Sequence, residues 1–385
     1  QRQMCIRDRG KILVGVFILM AVLTAVLFFM LEGREKYGVY YTTQYQVFGT
    51  ELMIRLVYGE DKTEEQAEAA AMKVTEMLRE AEADLSANFV RYPDGDVVRF
   101  NRLSQGERTE VSEITARLFE ICSMLYRDTE GAFNPAVYHA VRYWGFGEAY
   151  GYEDEMVPQS ERKGSEAALL LPLSDFNKAE LIEEDGKYYL VKNCASIIFR
   201  GTELNMCIDF GGAGKGFALD EAKKYLAEEG FGMGYMSLGY SSIILLDAPD
   251  NNTGWEIGLI NPRYAEGGEY NYAGCFVKNS AFSTSGDYQR YYIEDGIRYC
   301  HIIDKELSPV SNGYIACSVI TKEASCGDII STSLMILGDK ASDFVAEYGE
   351  KYGIEGYLLV KEGSGGYLVT DRIGVTIYDD EFKVI

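Results

Sequence analysis

A carboxylate and two hydroxyls recur at helical spacing in the segment CGDIISTSLMIL: Asp328, Ser331 and Thr332. Side chains three and four apart share a helix face, so an acid and two alcohols are expected side by side. With nearby backbone carbonyls they make a set of hard oxygen donors, suited to Mg²⁺ bridging phosphates. The same carboxylate could instead cap the start of that helix. As an exposed metal carboxylate, Asp328 is expected to be dispensable for folding. A second candidate is the glycine-rich run DFGGAGKG, 209–216. It is not a Walker loop, because Asp209 stands where the first glycine belongs and Gly216 stands where Ser or Thr should follow the lysine. Nor is it a dinucleotide fingerprint, since it reads G-x-G-x-G. What survives is physical: Gly211, Gly212, Gly214 and Gly216 allow close backbone approach, and the loop opens a helix whose N–H groups attract anions. Lys215 adds a positive point charge. The plain alternative is a surface turn. A third candidate is His301, which closes the stretch FSTSGDYQRYYIEDGIRYCHIID at 282–304. It reads either as a ligand contact or general base near neutral pH, or as a satisfied strand residue.

The elements that must carry these residues follow from periodicity. The segment 45–58 is rich in β-branched and aromatic residues and reads as a strand with a glycine break. Residues 63–83 place apolar side chains at helical spacing, with Thr63 and Gln66 as a capping box. A second helix is expected over 111–127. The glycine- and aromatic-rich run 130–147 is followed by a polar stretch, 148–180, expected as an insertion or long surface connection. Residues 187–192 read as a short strand, and 204–230 as strand, glycine-rich turn and helix. Further strands are expected over 234–247, 255–260, 275–282 and 314–321. Hairpins are expected at 288–293 with 297–303, and at 357–360 with 366–370. Helices are expected over 328–338 and 342–352. Helices and strands mix without a regular βαβ repeat, so the fold class is α+β, one continuous unit over 45–385.

Composition narrows the function classes. The 385 residues carry 37 Lys+Arg against 60 Asp+Glu, a net charge of −23, which disfavours nucleic-acid binding. With 47% hydrophobic and 13% aromatic residues, the chain can build a large core. Only two histidines are present, so any triad or histidine-rich metal site must use His139 or His301. No cysteine pair has C-x-x-C spacing, and most cysteines sit in apolar runs where a free thiol acts as a small hydrophobe. Residues 12–31 lack any charge and are long enough to span a bilayer as a helix. An uncleaved transmembrane anchor is expected there, after a tail at 1–11 and before a linker at 32–44. Arg2, Arg7, Arg9 and Lys11 precede the span, which places that tail in the cytoplasm and the rest of the chain outside it.

In order along about 340 residues, the chain carries FGT (48–50), DLS (84–86) with FNRL (100–103), GAFNPAV to YWGFG (131–147) and DFGGAGKGFALD (209–220). SLGYSSI (237–243), STSGDYQRYY (283–292), HIID (301–304) and DIISTSLMILG (328–338) follow. This series resembles the ApbE family, the FAD:protein FMN transferases. The resemblance implies a T-fold-related mixed sheet-and-helix domain and a Mg²⁺-dependent reaction. FMN passes from FAD, through its phosphate, to a Thr or Ser hydroxyl of an acceptor flavoprotein, and AMP leaves. It also implies a membrane setting, with a membrane electron-transport subunit carrying an FMN-binding domain as the acceptor class. By resemblance the metal ligands fall on Asp328, Thr332 and a backbone oxygen at Gly212, with Ser331 close by. FAD contacts fall on Phe48, Ala132, Phe133, Asn134, Asp209, Lys215 and His301. His301 and Asp209 are the candidate catalytic residues, His301 for deprotonating the acceptor hydroxyl. The chain departs from the family pattern at Phe48, where Met is usual, and at Asn134, where Asp is usual. It departs again at DKELSPV (304–310), at GGAGKG and at Tyr240, where a second glycine is common. Two further functions stay open on the same site: an FAD pyrophosphatase releasing FMN and AMP, and a non-catalytic FAD-binding module outside the cytoplasm.

Overall fold

The computed structural model describes residues 37–147, 157–249 and 254–385. The expected anchor at 12–31 lies outside them. Among the described residues, no helix is long and apolar enough to cross a membrane.

Alternating side chains build the central sheet. Leu52, Ile54 and Leu56 of the strand Thr50–Tyr58 are fully buried on one face, while Met53 and Arg55 point to the other. That strand pairs with Gly38–Val47 on one side and Met233–Leu238 on the other. The ladder continues through Ser242–Leu245, Ser280–Gly286, Tyr314–Thr321, Ile354–Gly363 and Gly366–Asp371, all antiparallel, and ends on Phe382–Val384, which is parallel. The result is a nine-stranded sheet among the described residues.

Helices cover one face of this sheet. Glu64–Leu85 opens on the expected capping box between Thr63 and Gln66 and buries Ala67, Ala70, Ala71, Val74, Leu78, Ala81 and Leu85. These pack with Leu52, Ile54 and Leu56 in one large core, together with Phe217, Leu219 and Leu226 of the helix Gly214–Glu228 and Ile329, Ile330 and Leu334 of the helix Ala324–Leu337. The opposite face carries Leu245, Phe282, Ala316, Ile320 and Leu358, packed beneath a small sheet formed by Trp255–Ile260, Asn271–Val277 and Thr376–Ile377. The arrangement is helices, sheet, sheet, and α+β is the class expected.

Several expected elements change. The segment expected as linker is strand from Gly38 onward. The single strand expected over 45–58 is a hairpin folded at Phe48 and Gly49. Strands expected over 234–247 and 275–282 each break at a tight turn, one at 239–241 and one at Lys278 and Asn279. Tyr240 and Asn279 take positive φ there, which apolar pattern does not reveal. No strand forms over 205–210, because this run is buried between loops rather than laid on a sheet. Within the expected surface connection, residues 148–156 lie outside the description, while Ala167, Leu170, Leu173 and Phe176 are buried. The described cysteines are all free thiols, and all but the half-buried Cys326 are buried, as their apolar surroundings imply.

The helix bearing Asp328 begins at Ala324, four residues earlier than expected. Asp220, on the helix Gly214–Glu228, accepts hydrogen bonds from Ala324 N at 2.8 Å and Ser325 N at 2.9 Å. A carboxylate from another helix thus satisfies two of the orphan N–H groups. Asp328 lies a turn inside, which removes its reading as the cap.

Candidate active site

A cleft of about 550 Å³ opens where the glycine loop, the Asp328 helix and the strand ends converge. Phe48, Ala132, Phe133, Asn134, Asp209, Gly212, Lys215, His301, Asp328, Ser331 and Thr332 all line it. The fold thus gathers the residues proposed for metal, FAD and catalysis, while His139 and Tyr240 lie outside the cleft lining.

Its floor is a buried carboxylate. Asp328 is 6% exposed, so it is not the exposed acid expected, and its oxygens accept hydrogen bonds from three residues of the protein. Oδ1 accepts from Ser242 Oγ at 2.7 Å and Ser283 Oγ at 2.8 Å. Oδ2 accepts from Gly216 N at 2.8 Å and Ser242 Oγ at 2.9 Å. Burial pushes its pKa up, while Lys215 and these donors pull it back. Burial in turn lowers Lys215, and Asp328 opposes that shift. Acid and lysine thus each offset part of what burial costs the other's charge. The Lys215 ammonium donates to Ser241 Oγ, on the turn between two central strands.

Gly216 makes this contact possible. A Cβ there would lie 2.2 Å from Ala324 O and 2.8 Å from Ser325 N. Only glycine lets the two helices approach until Gly216 N reaches Asp328. Ser331 Oγ and Thr332 Oγ1 donate to Asp328 O at 3.0 and 3.2 Å and also meet Ser285 Oγ at 2.9 and 2.8 Å. Both residues line the cleft.

The walls are built from loops. Phe48 takes φ +49 at the hairpin tip, and its N–H donates to Glu82 Oε2 at 2.7 Å. Glu82 is 4% exposed, lies within 3.2 Å of Arg91 Nη1 and reaches the cleft from the first long helix. Asn134 spends its amide on the loop, donating to Ser174 O at 2.7 Å and accepting from Ala136 N at 2.8 Å. Asp209 Oδ1 accepts from Gly211 N at 2.9 Å and so closes the glycine turn.

His301 is half-buried at the far wall. Its backbone N–H donates to Arg290 O at 3.2 Å, and Nδ1 lies 3.3 Å from the same carbonyl. A carbonyl only accepts, so that contact puts the proton on Nδ1 and leaves the Nε2 lone pair free. Burial first, then the Arg290 and Lys215 charges, lowers its pKa to about 4, so the ring is neutral at pH 7. The loop carrying Arg290 is anchored by a buried pair, with Arg263 Nη1 and Nη2 donating to Asp287 Oδ1 and Oδ2 at 2.7 and 2.8 Å.

Sequence reasoning missed Glu82, Ser242, Ser283, Asp220 and the Arg263–Asp287 pair. The serines lay inside segments already noted, SLGYSSI and FSTSGDY, but nothing local says that both reach Asp328. Glu82 carried no signal, for it reads as one more acid on an Ala/Glu-rich helix.

Among the described residues, no group of three or more His, Cys, Asp or Glu side chains could hold a metal ion. The side-chain oxygen donors at the floor are one carboxylate and two hydroxyls, with Gly212 among the lining residues. This set suits Mg²⁺, which commonly takes one or two carboxylates and completes its shell with waters and substrate phosphates.

A model of the ApbE family matches residues 48–358. The FAD:protein FMN transferase of Klebsiella pneumoniae (strain 342) is 26% identical over 304 residues, which cover 78% of this chain and 80% of that one. The ApbE protein of Thermotoga maritima superposes with a TM-score of 0.70 at 22% identity, covering 87% of this chain and 97% of its own. The apo flavinyl transferase ApbE of Pseudomonas stutzeri gives 0.70 at 24% identity, covering 87% and 95%.

Proposed function

The chain belongs to the ApbE family, and on that premise we propose that it transfers FMN from FAD to a Thr or Ser hydroxyl of an acceptor flavoprotein. The acceptor oxygen attacks the FMN phosphorus, the pyrophosphate P–O bond breaks, AMP leaves, and the hydroxyl proton goes to a base. The observation that carries this reading is the floor formed by buried Asp328 and half-buried Lys215 beneath a cleft lined by every candidate metal, FAD and catalytic residue. In phosphoryl transfer, positioning and charge neutralisation do most of the work. Lys215 supplies a cation in an otherwise acidic protein. Asp328, Thr332, Ser331 and the Gly212 carbonyl would hold Mg²⁺, which neutralises phosphate charge when bound. Phe48 and Phe133 give the apolar walls that a flavin or adenine ring needs. His301 offers the Nε2 lone pair for the acceptor proton; at a pKa of about 4 it is a weak base, always unprotonated at neutral pH.

The reading extends to place and partner. Residues 12–31 anchor the chain, the catalytic part lies outside the cytoplasm, and the acceptor is a membrane electron-transport subunit with an FMN-binding domain. The uncharged run and the basic residues before it support the anchoring and its orientation. The test incubates the protein with FAD, Mg²⁺ and an acceptor domain. Transfer gives AMP and an acceptor heavier by FMN on one Thr or Ser. Free FMN in place of modified acceptor would make it a pyrophosphatase, and intact FAD would make it a carrier.

A further inference from the structure

A second cavity of about 210 Å³ lies on the other side of the central sheet, beneath the small sheet. Tyr235, Trp255, Tyr272, Phe282 and Tyr288 line it, with Ser237. An apolar cavity of roughly 150 Å³ admits a benzene ring, so this one holds a ring with room for a polar tip. Ser237 asks for such a tip. Its side chain is 3% exposed, and its Oγ has no hydrogen-bond partner. An unsatisfied buried hydroxyl is destabilising, a deficit that an occupant with a polar group removes.

The cavity adjoins the cleft. Ser241, Thr284 and Gln289 border both. The partition is the turn at 239–241, where Ser241 receives the Lys215 ammonium on the cleft side. Its neighbour Tyr240 borders the second cavity, is 53% exposed and takes φ +57. A bulky side chain in the left-handed region is strained, and such strain collects at ligand-contacting positions. This chain accepts it at a turn where glycine would be relaxed. Tyr264 and Tyr270 are exposed as well, at 47% and 56%, and stack edge-on at 5.1 Å. Tyrosine is the residue that protein interfaces favour.

We propose that this cavity receives an aromatic side chain with a polar tip, Tyr or Trp, from the acceptor polypeptide a few residues from the modified hydroxyl. Tyr240 forms the rim of that subsite, and Ser237 meets the polar tip. The inference rests on the transferase reading and deepens it, since it says how the acceptor is selected.

The test uses the whole protein with FAD, Mg²⁺ and synthetic 15-residue peptides that carry a central Thr, each flanking position scanned through Ala, Leu, Tyr and Trp. Covalent flavin is read by mass, and AMP release without peptide is read in parallel. The expected result is one flanking position where Tyr or Trp raises kcat/KM at least tenfold over Ala. Tyr240→Gly and Ala316→Leu, one removing the rim and one filling the cavity, abolish that preference and leave FAD KM and peptide-independent AMP release unchanged. Tyr240→Gly relieves strain at the surface, so it reports even where the filled variant folds poorly. A flat scan overturns the proposal, and so does a loss of FAD affinity in step with the loss of preference. Failure of the wild-type protein to modify any acceptor domain sinks the transferase reading, and this proposal falls with it. Transfer to an acceptor domain without aromatic selection sinks the proposal alone.

Discussion

Replacing Asp328 separates what the carboxylate does for the fold from what it does for the reaction. Four hydrogen bonds converge on it, from Gly216 N, Ser283 Oγ and twice from Ser242 Oγ. In Asp328→Asn the amide oxygen must take the Oδ2 place, because the Gly216 N–H cannot turn. The new NH₂ then faces Ser242 and Ser283, whose hydroxyls rotate to accept. The contacts survive in number but lose their charge assistance, so the stability loss is about 1–2 kcal/mol. Asp328→Ala strands the Gly216 N–H and two hydroxyls and leaves Lys215 without its counter-charge, so it costs about 3–5 kcal/mol. Both variants remove the anionic oxygen, and both should slow AMP release from FAD by a factor on the order of 10²–10³, as for loss of one electrostatic contact to developing charge. Urea unfolding measures the first quantity and chromatographic AMP release the second. Asp328→Asn cleaving FAD within threefold of wild type would refute the role of the charge. Equal stability losses for the two variants would refute the hydrogen-bond argument.

Gly216→Ala forces a Cβ to within 2.2 Å of Ala324 O, a backbone atom, and should cost about 3 kcal/mol or more while breaking the bond to Asp328; a urea midpoint within experimental error of wild type would contradict it. Glu82→Ala frees the Phe48 turn and should raise the KM for FAD roughly tenfold, at about 1–2 kcal/mol of stability, while Glu82→Gln keeps an acceptor for Phe48 N and stays near wild type. His139 is buried, with Nε2 2.7 Å from Asn205 O, and burial lowers its pKa from 6.5 to about 4. Because the folded value lies below the unfolded one, its stabilising effect is complete above pH 6.5 and is lost as pH falls towards 4, a change of about 3 kcal/mol. Urea midpoints from pH 7.5 to 4.5 should therefore fall more steeply for wild type than for His139→Gln, and parallel profiles would count against it.

Much of the site could be read before any coordinates. Lys215, Asp328, Thr332 and His301 were legible because glycine-rich turns, helical spacing and a scarce residue type are local signals. The series of motifs supplied the family. The exposure of Asp328 was misjudged, because the residues that bury it lie 86 and 45 positions away, at Ser242 and Ser283. The helix start was misjudged for the same reason, since its cap comes from Asp220, 104 residues earlier. Glu82 faces inward only because the first hairpin tip sits against its helix.

What the chain order alone determined was which segments alternate with period two, which repeat every 3.6 residues, and which turns demand glycine. Those are properties of neighbours along the backbone. Only the folded molecule decided that a buried acid and a half-buried lysine share one floor and that a strained tyrosine borders a second cavity beside it. Such pairings depend on distance through space, on desolvation by packed neighbours and on hydrogen bonds such as that between Gly216 and Asp328, 112 positions apart, and none of these can be summed along a string.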